Sequence, residues 1–148
     1  MYRQAVELTP GQAITWLNLG DALYFAGETE ASRAAFEKAR ELTDSTLRVN
    51  PADAEALVTL AWTKHHLGDS RGALVDVEKA LEIDPDDPYS YYYDALIRYR
   101  DGDDDAALGS LEQALDRGYP ANFLVAEPYL GELRAKTRFH TLVAESYQ

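Results

Sequence analysis

The chain has 148 residues, of which 46% are apolar, a length and composition that suit one domain with a continuous core. Its formal charge of −12 argues against a nucleic-acid backbone or an anionic membrane as the main partner. The absence of cysteine excludes disulfides and thiolate metal sites. No apolar run approaches the ~18 residues of a membrane span, and the first residues lack the apolar segment of a signal peptide. This composition favours a cytoplasmic location and leaves open an exported chain whose targeting segment lies outside the sequence.

The first element is a short helical segment at residues 2–8, which ends before Pro10. Its order of large and small apolar residues matches that of residues 77–83, which end before Pro85. We interpret it as a partial helix, the end of a preceding repeat whose partner helix is missing. Either Met1 is a start within a longer protein, which we favour, or the native chain begins with an orphan helix.

Three pairs of helical patterns follow, at residues 13–50, 54–87 and 88–118. In each pair a glycine divides two segments whose apolar residues recur at three- and four-residue steps, as one face of a helix requires. These dividing glycines are Gly27, Gly68 and Gly102, and the first interval between them is longer than the second. A helix pair this short cannot bury both faces alone, so we expect the pairs to stack on one another.

The interval from Gly27 to Gly68 is 41 residues and that from Gly68 to Gly102 is 34, so the first is seven longer, and seven residues make two helical turns. The extension therefore preserves the apolar face, with Leu42 and Val49 at equivalent positions. We predict one continuous helix from about Thr29 to Val49. Because residues 43–46 are of types that also cap helices, a break there is the alternative.

The core line of the first pair places large and small residues at regular steps. Its members are Trp16, Leu19, Gly20 and Leu23 in the first helix, with Phe36 and Ala39 in the second. This order resembles the tetratricopeptide repeat, a helix-turn-helix module whose period of about 34 residues is also the interval from Gly68 to Gly102. The third pair departs from the pattern at Asp94, where a leucine is usual. The resemblance implies a single all-α domain over residues 1–148, an α-solenoid of antiparallel helix pairs that forms a right-handed superhelix.

Residues 119–148 depart from the repeat. Glycine, tyrosine and proline at 118–120 are followed by two motifs, EPYLGELR at 127–134 and RFHTL at 138–142. This order resembles the end-of-group pattern that closes many bacterial repeat arrays. It implies a short helix or turn near residues 122–126 and a closing helix at about 136–147. We call residues 119–148 the cap, since a solenoid needs its last apolar face covered.

The resemblance also implies which side chains line the concave side of the superhelix, because the first helix of each repeat does so in this family. We call these side chains the inward set: Leu17, Asp21, Tyr24, Val58, Trp62, His65, His66, Tyr89, Tyr92, Leu96, Tyr99 and Arg100. Ile14, Phe25 and Glu55 fall on the same side. Many of these side chains are aromatic, and rings exposed together can anchor a ligand at low entropic cost.

We therefore predict a non-catalytic protein-interaction module that binds a peptide or helix of a partner protein in an aromatic groove. The alternatives are that the cap or a second copy in a homo-oligomer fills the groove, or that the chain is a self-assembly or regulatory spacer domain of a larger bacterial signalling protein or enzyme. Related chaperone-binding domains hold a terminal carboxylate with lysine, arginine and asparagine. Here those positions are Leu17, Asp21, Thr59, Tyr89 and Tyr93, so the clamp is absent and an acidic ligand end is disfavoured. A basic or amphipathic partner suits the acidic chain better.

The sequence contains no pattern that requires a metal, a cofactor or a catalytic residue. His65 and His66 are about 100° apart on a helix and cannot both face one metal ion. The aspartates of residues 101–105 lack the ligand order of a calcium loop and suit a turn followed by a helix start. Since no activated nucleophile or phosphate loop is recognisable, we expect no enzymatic activity from these residues.

Overall fold

The computed structural model describes residues 1–148 and is entirely helical, as the sequence predicts. The elements are α1 (Tyr2–Leu8), α2 (Ala13–Phe25), α3 (Thr29–Val49), α4 (Ala54–His66), α5 (Ser70–Ile83), α6 (Pro88–Arg100), α7 (Asp104–Asp116), α8 (Ala121–Ala126), a 3₁₀ segment (Pro128–Ala135) and α9 (Thr137–Glu145). They form two compact units, Met1–Ile83 and Asp84–Gln148. None of the helices combines the length and apolar character that a membrane crossing requires.

The core of the first unit lies within the pairs α2/α3 and α4/α5, and α3 packs against α4. Gly20 faces the ring of Phe36, and a Cβ atom at position 20 would lie only 2.8 Å from that ring. The glycine therefore lets α2 and α3 approach closely. In the second pair Ala61, Val77 and Ala80 are fully buried at the corresponding crossing. Small residues opposite large ones thus hold each pair together.

The N-terminal helix α1 completes this core at one end. Its Val6 packs in a cluster with Leu19 and Leu23 of α2 and Ala35 of α3. Trp16 is only partly buried at the rim of the cluster, where its Nε1 donates to Pro10 O at 2.8 Å. The expectation that Trp16 lies in the core line is therefore wrong in part, because its polar edge reaches the loop before α2.

The long helix α3 is continuous from Thr29 to Val49, which confirms the predicted extension and excludes the break at residues 43–46. Thr43, Ser45 and Thr46 do not cap a helix end. Their hydroxyls donate to the backbone carbonyls four residues earlier, at 2.7–3.2 Å. A hydroxyl satisfied in this way leaves the helical backbone intact.

The apolar face of this extension does not continue as predicted. Val49 is 88% exposed, although it stands seven residues from Leu42. The buried residue in this part of α3 is Thr43, whose hydroxyl is satisfied within the helix. The last two turns therefore extend the helix without extending the core.

The turns within the three pairs follow one design. Gly27, Gly68 and Gly102 have φ between 76° and 94°, a conformation that favours glycine at a helix end. The helices that begin at Ala54 and Pro88 are capped by side-chain oxygens of Asp53 and Asp87, which accept backbone N–H groups of the first turn. Local chemistry thus sets where the helices begin and end.

The second unit contains the pair α6/α7 and the cap. The predicted short helix and closing helix are present as α8 and α9, and between them lies the 3₁₀ segment, which the sequence pattern did not predict. Leu124, Leu130 and Leu133 are fully buried, and the 3₁₀ segment contacts both α6 and α9. The cap therefore shares the core of the second unit.

Candidate functional site

In the first unit, most of the inward set is enclosed and not exposed. Leu17 and Val58 are buried, and Trp62 is fully buried with its Nε1 donating to Asp21 Oδ1 at 3.0 Å. The expectation that these rings and apolar groups are exposed is wrong for Leu17, Val58 and Trp62. Leu17 and Val58 lie on helices that contact each other, and the burial of their side chains means that part of each inward face is used for folding.

His66 is also enclosed, within an aromatic cluster of the first unit. Its ring stacks on Phe36 with centroids 4.2 Å apart and meets the edges of Tyr24 and Trp62 at 5.3 and 4.5 Å. Its Nε2 lies 3.7 Å from Asp21 Oδ1. The side chain is only 4% exposed, so His66 shapes the surface from beneath and cannot line it.

His65 has a different environment from its neighbour. Its ring stacks on Trp62 at 5.7 Å, and its Nδ1 lies 3.1 Å from Ser70 Oγ. No group of three or more histidine, aspartate or glutamate side chains is arranged to hold a metal ion. The histidine pair therefore belongs to the aromatic packing of α4.

The exposed inward rings of the first unit are at the end of α2, whereas Ile14 and Glu55 are exposed near the starts of α2 and α4. Tyr24 is 43% exposed and Phe25 is 50% exposed, and their rings pack edge to face at 5.3 Å. Asp21, one turn earlier, keeps 24% of its side chain exposed. We call Tyr24, Phe25 and Asp21 the α2 patch. The enclosed cluster around His66 supports it, because the Tyr24 ring also contacts His66.

In the second unit, the inward side chains of α6 contact the cap. Tyr92 Oη donates to Glu127 Oε2 at 2.5 Å, and its ring stacks on Tyr119 with centroids 4.7 Å apart. Tyr99 Oη accepts a hydrogen bond from Glu132 N at 3.1 Å. The guanidinium of Arg100 lies 5.1 Å from the ring centroid of Tyr129. The cap therefore covers this face of α6, as the alternative of a self-filled groove predicts for this unit.

The titration of this tyrosine cluster reflects its enclosure. Burial, together with the neighbouring Glu127 carboxylate, raises the pKa of Tyr92 far above its ordinary value. Burial and Glu127 also raise the pKa of Tyr119. Both phenols are therefore neutral at physiological pH, and Tyr92 keeps the proton that it donates to Glu127.

The two remaining inward side chains of α6 differ in exposure. Leu96 is buried, so its expected exposure is also wrong. Tyr89 is 51% exposed at the start of α6 and meets Tyr119 edge to face at 5.3 Å. Tyr119 in turn contacts Phe123 of α8 at 6.3 Å, so tyrosines of α6 and rings of the cap form one aromatic cluster.

Sequence reasoning missed the residues of the cap that make these contacts, above all Glu127, Tyr129 and Gly131. Gly131 has φ 47° and ψ −123°, and this kink brings the backbone against Tyr99. A glycine between two short apolar runs was the one available signal, and it does not identify the helix that the kink approaches. The pairing of these residues with α6 is a tertiary property.

Two further polar features lie outside these aromatic clusters. Gln12, Thr43, Thr46, Asp53, Glu55 and Thr59 contribute to the lining of a cleft of about 440 Å³ in the first unit. In the aspartate-rich turn, Asp103 caps α7 through Ala106 N, and Asp104 pairs with Lys136 at 2.6 Å, raising the pKa of that lysine. The turn followed by a helix start, as predicted, accounts for these aspartates.

Comparison with known proteins identifies the repeat. A family model described as tetratricopeptide repeat matches residues 11–86, and a second model of the same description matches residues 56–123. A search of curated proteins found no significant match.

Several solved structures resemble the chain at low sequence identity. PcrH in complex with the chaperone binding region of PopD is 19% identical, with 89% of this chain and 83% of that chain covered and a TM-score of 0.52. The Yersinia enterocolitica type III secretion chaperone SycD, in complex with a peptide of the translocator YopD, is 16% identical, with 89% of each chain covered and a TM-score of 0.53. MamA is 17% identical, with 99% of this chain and 80% of that chain covered and a TM-score of 0.53. These similarities establish the helical-repeat fold.

Proposed function

Because the chain belongs to the tetratricopeptide repeat family, we propose that it is a non-catalytic module that binds a peptide or helix of a partner protein. PcrH and SycD, which share the fold, have each been solved with a segment of the protein that they bind. These relationships support the general class of function, and the residues of this chain decide where the ligand is expected.

The observation that carries the proposal is the α2 patch. Tyr24 and Phe25 expose two adjacent rings, and Asp21 adds a partly exposed carboxylate one turn away. Aromatic anchors surrounded by polar groups are typical of binding hot spots, because a ring buries a large area with few rotatable bonds. In the first unit, Leu17, Val58, Trp62 and His66 then act as the support that holds the patch, and His65 extends it along α4.

The net charge of −12 favours a basic or amphipathic ligand at this patch. Glu55 is exposed on α4, and Glu28 is exposed just after α2, where it pairs with Arg3 at 2.9 Å. Because exposed charges attract a ligand through solvent, the affinity should fall as salt rises. Apolar contacts of the ligand with the two rings should persist in salt.

The test is the selection of peptides from a random library against the purified chain, followed by affinity measurement on matched variants. We expect Tyr24→Ala/Phe25→Ala to weaken a selected peptide by at least about tenfold, the loss that ~1.4 kcal/mol produces. The control Val75→Ala/Tyr147→Ala removes one aliphatic and one aromatic exposed side chain elsewhere. It should leave the affinity unchanged.

Equal affinities of the α2-patch variant and the wild-type chain would show that the patch is not the binding site. Light scattering of the peptide-free chain completes the test. A dimer that Tyr24→Ala/Phe25→Ala dissociates would assign the patch to self-assembly and overturn the proposal for peptide binding.

A further inference from the structure

The cap meets the inward face of α6 through a distinct set of contacts. The Glu127 carboxylate is central, since Oε1 accepts from Tyr129 N at 3.0 Å and Oε2 accepts from Tyr92 Oη at 2.5 Å. One carboxylate therefore both begins the 3₁₀ segment and joins it to α6. The same face of α6 supplies Tyr99 and Arg100 to the residues that follow.

The 3₁₀ segment is shaped to lie against this face. At Gly131 the chain leaves the helical conformation, and a Cβ atom at that position would lie 3.0 Å from Tyr99 Oη. A side chain there would be strained by the positive φ and crowded by the tyrosine. The glycine thus allows the backbone of the segment to reach Tyr99, which accepts from Glu132 N.

The contacts have the chemistry of a bound peptide. Tyr92 of α6 donates its hydroxyl to a carboxylate, and Tyr99 accepts a backbone N–H. The guanidinium of Arg100 faces an aromatic ring. Tyr129, Leu130 and Leu133 are buried and serve as apolar anchors. A carboxylate before an aromatic residue and two leucines three residues apart is an amphipathic recognition pattern.

The elements of the cap depend on this docking for their order. The helix α8 has 6 residues, the 3₁₀ segment 8 and α9 9, whereas isolated helices shorter than about 12 residues are marginal in water. Short terminal elements of this kind open below the free energy of global unfolding. Because the segment and α6 belong to the same chain, the effective concentration of the segment at this face is about millimolar, and a free peptide at micromolar concentration competes poorly for it.

We propose that the inward face of α6 is a second peptide-binding surface, and that residues 127–133 are its internal ligand, which a partner segment must displace. The competing partner segment carries an acidic residue, then an aromatic residue, then leucine-type anchors at the spacing of Leu130 and Leu133. This inference rests on the proposed function as a peptide-binding module. For the α6 face, it narrows the expected amphipathic ligand to a segment with this order of acidic, aromatic and leucine-type residues.

The test uses the full chain and a fluorescent peptide with the native sequence of residues 126–136. In Glu127→Ala/Tyr129→Ala the chain's own segment loses its bond to Tyr92 and its ring over Arg100, while α6 is unchanged. We expect this variant to bind the peptide at least tenfold more tightly than the wild-type chain does. Adding Arg100→Ala should remove most of that gain, because the peptide's tyrosine then loses the guanidinium.

The matched control is Glu132→Gln, which also removes a carboxylate from the cap but keeps the backbone N–H that Tyr99 accepts. It should bind the peptide as weakly as the wild-type chain does. Equal affinity of the wild-type chain and a folded Glu127→Ala/Tyr129→Ala chain would overturn the inference. So would a gain in affinity that survives Arg100→Ala.

Hydrogen exchange of the wild-type chain tests the same inference without any variant. Amides of residues 121–135 should exchange faster than the central amides of α6 and α7, through local opening of the cap. Exchange of both groups at the same rate, with global unfolding, would contradict a displaceable segment. A library-selected peptide that still depends on Tyr24 and Phe25 would keep the proposed function in place after such a result.

Discussion

The second and third helix pairs each bury one carboxylate at an equivalent level of the pair. In the second pair it belongs to the second helix, and in the third pair it belongs to the first helix. In the second pair, Lys64 of α4 donates to Asp76 of α5 at 2.5 Å. In the third pair Arg98 stands one repeat period after Lys64, and Ser110 stands one repeat period after Asp76. The carboxylate has moved to Asp94 of α6, which accepts from Arg98 Nε at 2.8 Å and from Ser110 Oγ.

This difference explains the departure of Asp94 from the leucine of the repeat pattern. At the equivalent positions the first pair has Leu19, Leu23 and Ala35, which are apolar and pack with Val6 of α1. A charge is therefore tolerated at this place when its partner is present, and a wholly apolar set serves as well. At these three positions the side chains are matched to one another, as a charge with its partner or as an apolar set, although the residue types differ between pairs.

The largest effect is expected where the two regions agree. Trp62 of α4 and Leu96 of α6 occupy equivalent positions of successive repeats, and both are almost completely buried. Trp62→Ala should lower the free energy of unfolding by about 3–5 kcal/mol and Leu96→Ala by about 2–5 kcal/mol, through lost burial and the cavity left behind. Urea denaturation measures both losses. Tyr24→Ala, at an exposed site, is the control, and a loss at Trp62 no larger than at Tyr24 would show that Trp62 is not a core residue.

A smaller effect is expected where the regions differ. Asp76→Ala and Asp94→Ala each leave a partly buried cation without its carboxylate and should cost about 1–3 kcal/mol of unfolding free energy. Asp94→Leu/Ser110→Asp rebuilds in the third pair the arrangement of the second. It should recover most of the stability that Asp94→Leu alone loses, as thermal or urea unfolding would show. No recovery would mean that the two buried charges are not interchangeable.

Removing a side-chain cap at a helix start is expected to lower the free energy of unfolding by about 1 kcal/mol. Asp53→Ala at α4 and Asp87→Ala at α6 remove equivalent side-chain caps and should each cost about 0.5–2 kcal/mol. Gln12, before α2, makes no side-chain cap hydrogen bond, so Gln12→Ala should change stability by less than about 0.5 kcal/mol. Equal losses at all three positions would argue against capping as the cause.

The smallest effect at ordinary pH concerns Tyr92 of the third pair, which has no tyrosine counterpart in the second pair. Burial and Glu127 raise the pKa of Tyr92 above its unfolded value of about 10. Its contribution to stability is therefore complete below about pH 10 and is lost as the pH rises further, because only the unfolded chain then releases the proton. Tyr92→Phe should flatten this alkaline decline in a series of melting temperatures between pH 8 and 11. An identical decline in both chains would exclude Tyr92 as its source.

Much of the fold was predictable because the signals are local. Apolar periodicity predicted the helix α3, dividing glycines predicted the turns, and a proline and aspartate predicted the start of α6. The candidate site was less predictable. Helical spacing identified the face on which Tyr24, Trp62 and Tyr92 lie but did not reveal which of them a neighbouring element covers.

The sequence by itself determined the helical repeat, its period and the glycines and caps that bound each helix, since these depend on residues within a few positions of one another. Tertiary structure alone decided that Trp62 is buried, that Tyr24 is exposed and that Tyr92 is joined to Glu127 of the cap. The physical reason is that exposure depends on what packs against a side chain. The partner of Tyr92 comes from 35 residues further along the chain, beyond the reach of any local pattern.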